Sequence, residues 1–186
     1  MLLDYVGYAE RHGITYNPMS RHCITVSDLE AMAKEEGVEF KPGDLLIVRS
    51  GWIKWYNEHD AADRNKYITN GKEYIGVEGC EESVEWLWNH HFCAVAGGTF
   101  FLVFLMCRQA NDIVTDAIGF EAWPPQPPRR IHDHIALWGM PIGELWDLEA
   151  LATECEAQNR WSFFFTSAPL NLKGGVSSTP NALAVF

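Results

Sequence analysis

Apolar residues along this chain of 186 residues switch between helical and strand spacing. The opening MLLDYVGYAERHG has apolar or aromatic residues at 2, 3, 5, 6 and 8, with Gly13 placed to stop it. Because apolar residues follow Met1 at once, the segment reads as an element entered midway, one that continues upstream in related chains. Ser27 with Glu30 three residues later has capping-box spacing. Leu29, Met32 and Ala33 then give an i, i+3, i+4 stripe, and Gly37 is placed to end that helix. After the turn KPGD (41–44), LLIVR (45–49) is a short apolar run suited to a buried strand. SGWIKWY (50–56) leaves it through Gly51 and two tryptophans, and α/β proteins bind ligands where strand ends open into such loops.

GCEESVEWLWNHH (79–91) predicts a second helix, acidic in its first turn and ending in histidines, which complements the helix dipole. It runs into FCAVAG (92–97), another buried-strand pattern. Helix followed by buried strand, twice, predicts an α/β fold with a partly parallel sheet. Residues 98–115 break this pattern: the apolar stretch outruns a strand and turns polar with no capping signal. In FEAWPPQPPRR (120–130), Pro127 and Pro128 impose an extended loop. Beyond it lie IHDHIALWGMPIGELWD (131–147), a helix over 147–159, a strand over 161–170 and a last short strand after a Gly-Gly turn. The length suits a single domain over 1–186.

Hydrophobic residues make up 47% and charged residues 21%, enough apolar material for a core. Aromatics reach 13%, with eight Trp, which favours a ligand-contacting domain over a purely structural helical one. The net charge of −11 repels phosphate backbones and anionic lipid, so neither nucleic acid nor a membrane surface is an expected partner. The longest apolar run, 100–107, falls far short of the roughly 20 residues a membrane span needs. Five scattered cysteines without a CxxC pair read as free thiols, and the start lacks signal-peptide character. Together these predict a cytoplasmic protein.

Among seven histidines, His12, His22 and His59 lie in polar, turn-rich surroundings and read as surface residues. His90 and His91 end a helix, where the dipole stabilises them. His132 and His134 differ, because they follow the proline loop and Glu144 stands twelve residues beyond His132 across Gly-Met-Pro-Ile-Gly. Imidazole with carboxylate is a ligand set for zinc, manganese or iron, and a turn with Gly139, Pro141 and Gly143 can bring the two together. Spacing alone leaves a chance pairing as the alternative. No phosphate loop, GxSxG or HExxH occurs.

GDLLIVRSGW (43–52), WLWNHHFCAVAG (86–97), FEAWPP (120–125), WGMPIGELWDLEAL (138–151) and FFFTSAPLNLKGGVSSTPNALAVF (163–186) resemble, in order, the fungal branch of the cyclase or kynurenine formamidase-like family. The resemblance implies the C-terminal portion of a swivelling β/β/α domain, α/β in class, with a mixed sheet and flanking helices. It implies a metal-dependent hydrolase opening amide or lactam bonds, with N-formylkynurenine and isatin as substrate types, and association as a homodimer. Family ligands come from an upstream His-x-Gly-Thr-His-x-Asp motif, completed by a later His and a Glu twelve residues on. His132 and Glu144 match that later pair and take its catalytic and metal-ligating roles, for zinc or manganese. The upstream motif occurs nowhere in the chain, so the resemblance implies that the N-terminal part carrying it is missing.

Trp52 and Trp123 would form an aromatic wall for a planar substrate, with plain core packing as the alternative, and Ser178 and Asn181 would supply hydrogen bonds. AVAG (94–97) would join DAIGFEAWP (116–124) directly in family members. The eighteen residues between them, 98–115, correspond to 54 nucleotides and suggest a retained intron or a gene-model error, a lineage-specific insertion being the alternative. Two other readings stand beside the hydrolase: a non-catalytic domain binding a small ligand or partner, and a truncated product without a function of its own.

Overall fold

Four parallel strands organise the chain, and the helices between them return each strand to the same end of the sheet. The computed structural model describes residues 1–97, 119–126, 131–174 and 181–186. The strands β1 (Leu2–Asp4), β3 (Leu45–Arg49), β5 (Ala94–Gly97) and β6 (Ile142–Gly143) lie side by side in that order, and every pairing is parallel. Between β1 and β3 come α1 (Tyr5–His12), β2 (Cys23–Ile24) and α2 (Val26–Glu35). Between β3 and β5 come α3 (Trp52–Glu58), α4 (Ala61–Asn70), β4 (Gly76–Val77) and α5 (Glu81–His90). The helix α6 (Ile131–Trp138) precedes β6, and α7 (Glu149–Gln158), β7 (Phe164–Ala168) and β8 (Asn181–Val185) follow it.

Successive strand residues point to opposite faces, and each face has its own core. Leu3, Leu46, Val48 and Val95 pack with Leu29 and Met32 of α2, Leu87 of α5 and Ile131 and Ile135 of α6. Leu2, Ile47 and Ala96 pack on the other face with Ala152 and Cys155 of α7 and Trp161. Helices on both faces make an α/β layered fold, as the helix–strand alternation predicts. The main sheet is parallel throughout its described strands; antiparallel strand pairing is seen in the β7–β8 ribbon.

Several local expectations shift. The N-terminal segment is a buried strand followed by a helix, with Asp4 accepting from the Val6 N–H and Gly13 closing α1 in a left-handed conformation. The capping box of α2 uses Thr25 and Asp28, two residues upstream of the expected Ser27 and Glu30. SGWIKWY does not run on as a loop, since α3 starts at Trp52 directly after Gly51. The helix α4 was not legible because it buries no residue and so carries no apolar stripe. The anomalous stretch 98–115 lies outside the described residues. Among the described residues no helix is long and apolar enough to cross a membrane.

Candidate active site

The site begins with a backbone pairing that sequence periodicity does not show. Residues 120–123 zip against 74–77: Val77 N–H donates to Phe120 O (2.9 Å), Ala122 N–H to Val77 O (2.9 Å), and Tyr74 and Trp123 exchange both their bonds (3.0 and 3.1 Å). This pairing holds Glu121 at 2% exposure. Two elements then bring their residues to the Glu121 carboxylate. His132 stands in the first turn of α6, and Glu144 follows directly after β6, at the carboxyl edge of the parallel sheet where α/β folds place ligands.

The His132 ring lies between the two carboxylates. Its Nδ1 is 3.0 Å from Glu121 Oε2 and its Nε2 is 2.9 Å from Glu144 Oε1. Glu144 Oε1 also accepts from the Phe120 N–H at 3.1 Å, while Glu121 Oε2 sits 3.4 Å from the His132 backbone N–H at the start of α6. Burial disfavours the imidazolium, yet the hydrogen bonds and charges of Glu121 and Glu144 outweigh it and push the His132 pKa up to about 9. The His132 side chain keeps 35% exposure against 3% for Glu121 and 8% for Glu144, so the ring has one open side.

Gly119 lines that opening, since a Cβ there would stand 3.0 Å from both Glu144 Oε1 and His132 Nε2. Its backbone N–H bonds to the Tyr74 phenol, whose pKa is pushed up by burial and by the nearby Glu144 charge. Tyr74 belongs to a cluster with Trp52 and Met19, against which Trp123, Tyr56 and Leu145 pack. Tyr74 and Trp123 stack at 6.2 Å between centroids, and Trp52 and Tyr56 at 5.5 Å.

The expected His132–Glu144 pair therefore meets in space, with Trp52 and Trp123 in one aromatic cluster beside it. Trp52 is 5% exposed and packs as core, while Trp123 is half-buried. Ser178 lies outside the described residues, and Asn181 opens β8. His134 rests against Trp138 with centroids 6.0 Å apart, away from the carboxylates. His22 is not a plain surface residue: Tyr5 Oη is 2.6 Å from its Nε2. Sequence reasoning missed Glu121 and Tyr74. Glu121 stands inside a quoted motif, but only its place beside His132 reveals its use.

For a divalent metal, His132 Nε2 and Glu144 fit as two ligands, and a carboxylate on the other ring nitrogen is the usual support of a metal-binding histidine. A catalytic ion takes about three protein ligands. Among the described residues no group of three or more His, Cys, Asp or Glu side chains converges as a metal site.

Residues 8–100, half of the chain, match the sequence model of the family named Cyclase. That match includes Trp52 and Tyr74 and ends before Glu121, His132 and Glu144. A solved structure described as a novel cyclase superposes with a TM-score of 0.68 at 24% identity, covering 100% of this chain and 52% of that one. An isatin hydrolase solved with the product analogue thioisatinate gives 0.61 at 17% identity, over 98% of this chain and 57% of its own. At such identities both show a shared fold, and this chain spans little more than half the length of either. No curated protein matches the chain in sequence.

Proposed function

The chain belongs to the cyclase family, and from that premise we propose that it is a hydrolase opening an amide or lactam C–N bond next to an aromatic ring, an arylformamidase-type activity. The observation carrying this reading is one imidazole held between two buried carboxylates beside a tryptophan–tyrosine cluster. A planar aromatic substrate would rest on Trp123, backed by the buried Tyr74, and exclude water from the reacting bond. Zinc or manganese, when bound, would lower the pKa of a water and polarise the substrate carbonyl. His132 Nε2 and Glu144 would hold that ion, with the remaining ligand supplied from outside the described residues. Glu144 Oε1 faces His132 Nε2 and accepts the Phe120 N–H, so Oε2 is the oxygen that would accept the proton of the attacking water. The same oxygen would return that proton to the leaving nitrogen as the C–N bond breaks.

The test is hydrolysis of isatin and of an aryl formamide by the purified chain supplied with zinc or manganese, with metal analysis alongside. The reading expects about one bound divalent ion per chain, and both the ion and turnover lost in His132→Ala. Turnover of neither substrate by a metal-loaded, cooperatively folded chain would sink it. The two-ligand count favours one second reading, a non-catalytic domain that binds a small aromatic ligand. Quenching of tryptophan fluorescence by isatin without turnover would select that reading.

A further inference from the structure

Glu121 is the deepest charged group of the site, and among the described residues the side chain that answers its charge is His132. Its side chain is 3% exposed, and among the described residues Oε1 is buried without a hydrogen-bond partner. An uncompensated buried carboxylate is costly, so it holds firmly whatever donor reaches its other oxygen. That donor is His132 Nδ1 at 3.0 Å, helped by the backbone N–H at 3.4 Å. The chain makes room for this burial at Gly79, where an added Cβ would overlap Glu121 Oε1. The pairing of 120–123 with 74–77 fixes the backbone on which Glu121 is carried.

We infer that Glu121 is a positioning residue that keeps the neutral His132 ring protonated at Nδ1 and so turns the Nε2 lone pair toward Glu144 and the open side of the site. The competing arrangement puts the proton on Nε2, donated to Glu144. It is disfavoured because Glu144 Oε1 already accepts the Phe120 N–H, whereas Glu121 would lose its side-chain donor with Oε1 already unpartnered. With the proton on Nδ1, Nε2 and Glu144 Oε1 face each other at 2.9 Å as lone pair against lone pair. Such a pair attracts a cation, and a divalent ion and a proton would compete for the same gap. The inference deepens the hydrolase reading and rests on it only for the identity of that cation.

The test is a pair of measurements on the whole chain. Long-range ¹H–¹⁵N correlations of the His132 ring, recorded metal-free along a pH series that reaches the neutral ring, read the tautomer directly. The Nδ1–H form is expected in the unaltered chain and in Glu144→Gln. Glu121→Leu is expected to move the proton to Nε2, and Glu121→Gln, whose amide oxygen still accepts, to keep it on Nδ1. An Nε2–H ring in the unaltered chain overturns the inference even if no variant folds, as does an Nδ1–H ring that survives Glu121→Leu. Zinc titration of the same proteins gives the second readout, with roughly 10–100-fold weaker binding in Glu121→Leu, the usual loss when such a support is removed. Unchanged zinc affinity in a folded Glu121→Leu would also contradict it. If the unaltered chain binds no zinc, the metal reading fails by itself and the tautomer still decides the role of Glu121.

Discussion

Glu36 closes α2 and reaches across to the end of β1, where its Oε1 accepts the Asp4 N–H at 3.1 Å. Among the described residues its Oε2 is buried without a partner. Burial pushes its pKa up; the Asp4 N–H bond opposes this and the Asp4 charge adds to it, giving about 8 against an ordinary 4.5. A group whose folded pKa is raised contributes stability fully present below its unfolded pKa and lost as pH climbs through the folded one. Between these values the folded chain holds one more proton than the unfolded chain, which costs about 1.4 kcal/mol per pH unit. From about pH 6 to about pH 9 the loss comes to at most about 3 kcal/mol. Glu36→Gln keeps the acceptor for Asp4 and removes the titration. Its lead over the unaltered chain is expected to widen by about 2–3 kcal/mol between about pH 6 and about pH 9, in line with that integral. Urea melts at both pH values read the difference. His132 titrates in the same window with the same sign, but it does so in both proteins and cancels. Parallel stability–pH curves for the two proteins would refute the reasoning.

Two further perturbations test the frame that holds the site. Arg49 bonds Asp4 at 2.9 and 3.0 Å and Glu149 at 3.0 Å, joining β1, β3 and α7 with 12% of its side chain exposed. Arg49→Met would leave Asp4 buried and unpaired; a loss of about 3–5 kcal/mol is expected in urea melts, and a loss below about 1 kcal/mol would show the network to be dispensable. Gly79→Ala is expected to cost roughly 1–3 kcal/mol by overpacking, because its methyl group overlaps the Glu121 carboxylate. An unchanged melting temperature would show that Glu121 has room to move and would weaken its assigned role.

The sequence makes the outline of this fold legible because its buried strands and helices keep clean periodicity. LLIVR and AVAG are short apolar runs and form β3 and β5, while Leu29, Met32 and Ala33 sit on one buried face of α2. Where periodicity is weak the reading shifts: two overlapping Ser/Thr-x-x-acid patterns compete for the α2 cap, and Thr25 with Asp28 wins. In the site, His132 and Glu144 were legible because a ligand-type pair at a defined spacing stands out in one local segment. Glu121 and Tyr74 were not, because their use depends on pairing two segments more than forty residues apart. Trp52 and Trp123 were legible as a pair, but their division between core packing and ligand contact follows from burial that a sequence does not display.

The most direct test of the account is hydrolysis of isatin by the zinc- or manganese-supplied chain and by its His132→Ala and Glu144→Gln variants, each checked for a cooperative melt. The account predicts ring opening by the unaltered chain, with turnover lost in both folded variants. Turnover that persists in folded His132→Ala would contradict it, as would no ring opening and no aryl-formamide cleavage by a folded, metal-loaded chain.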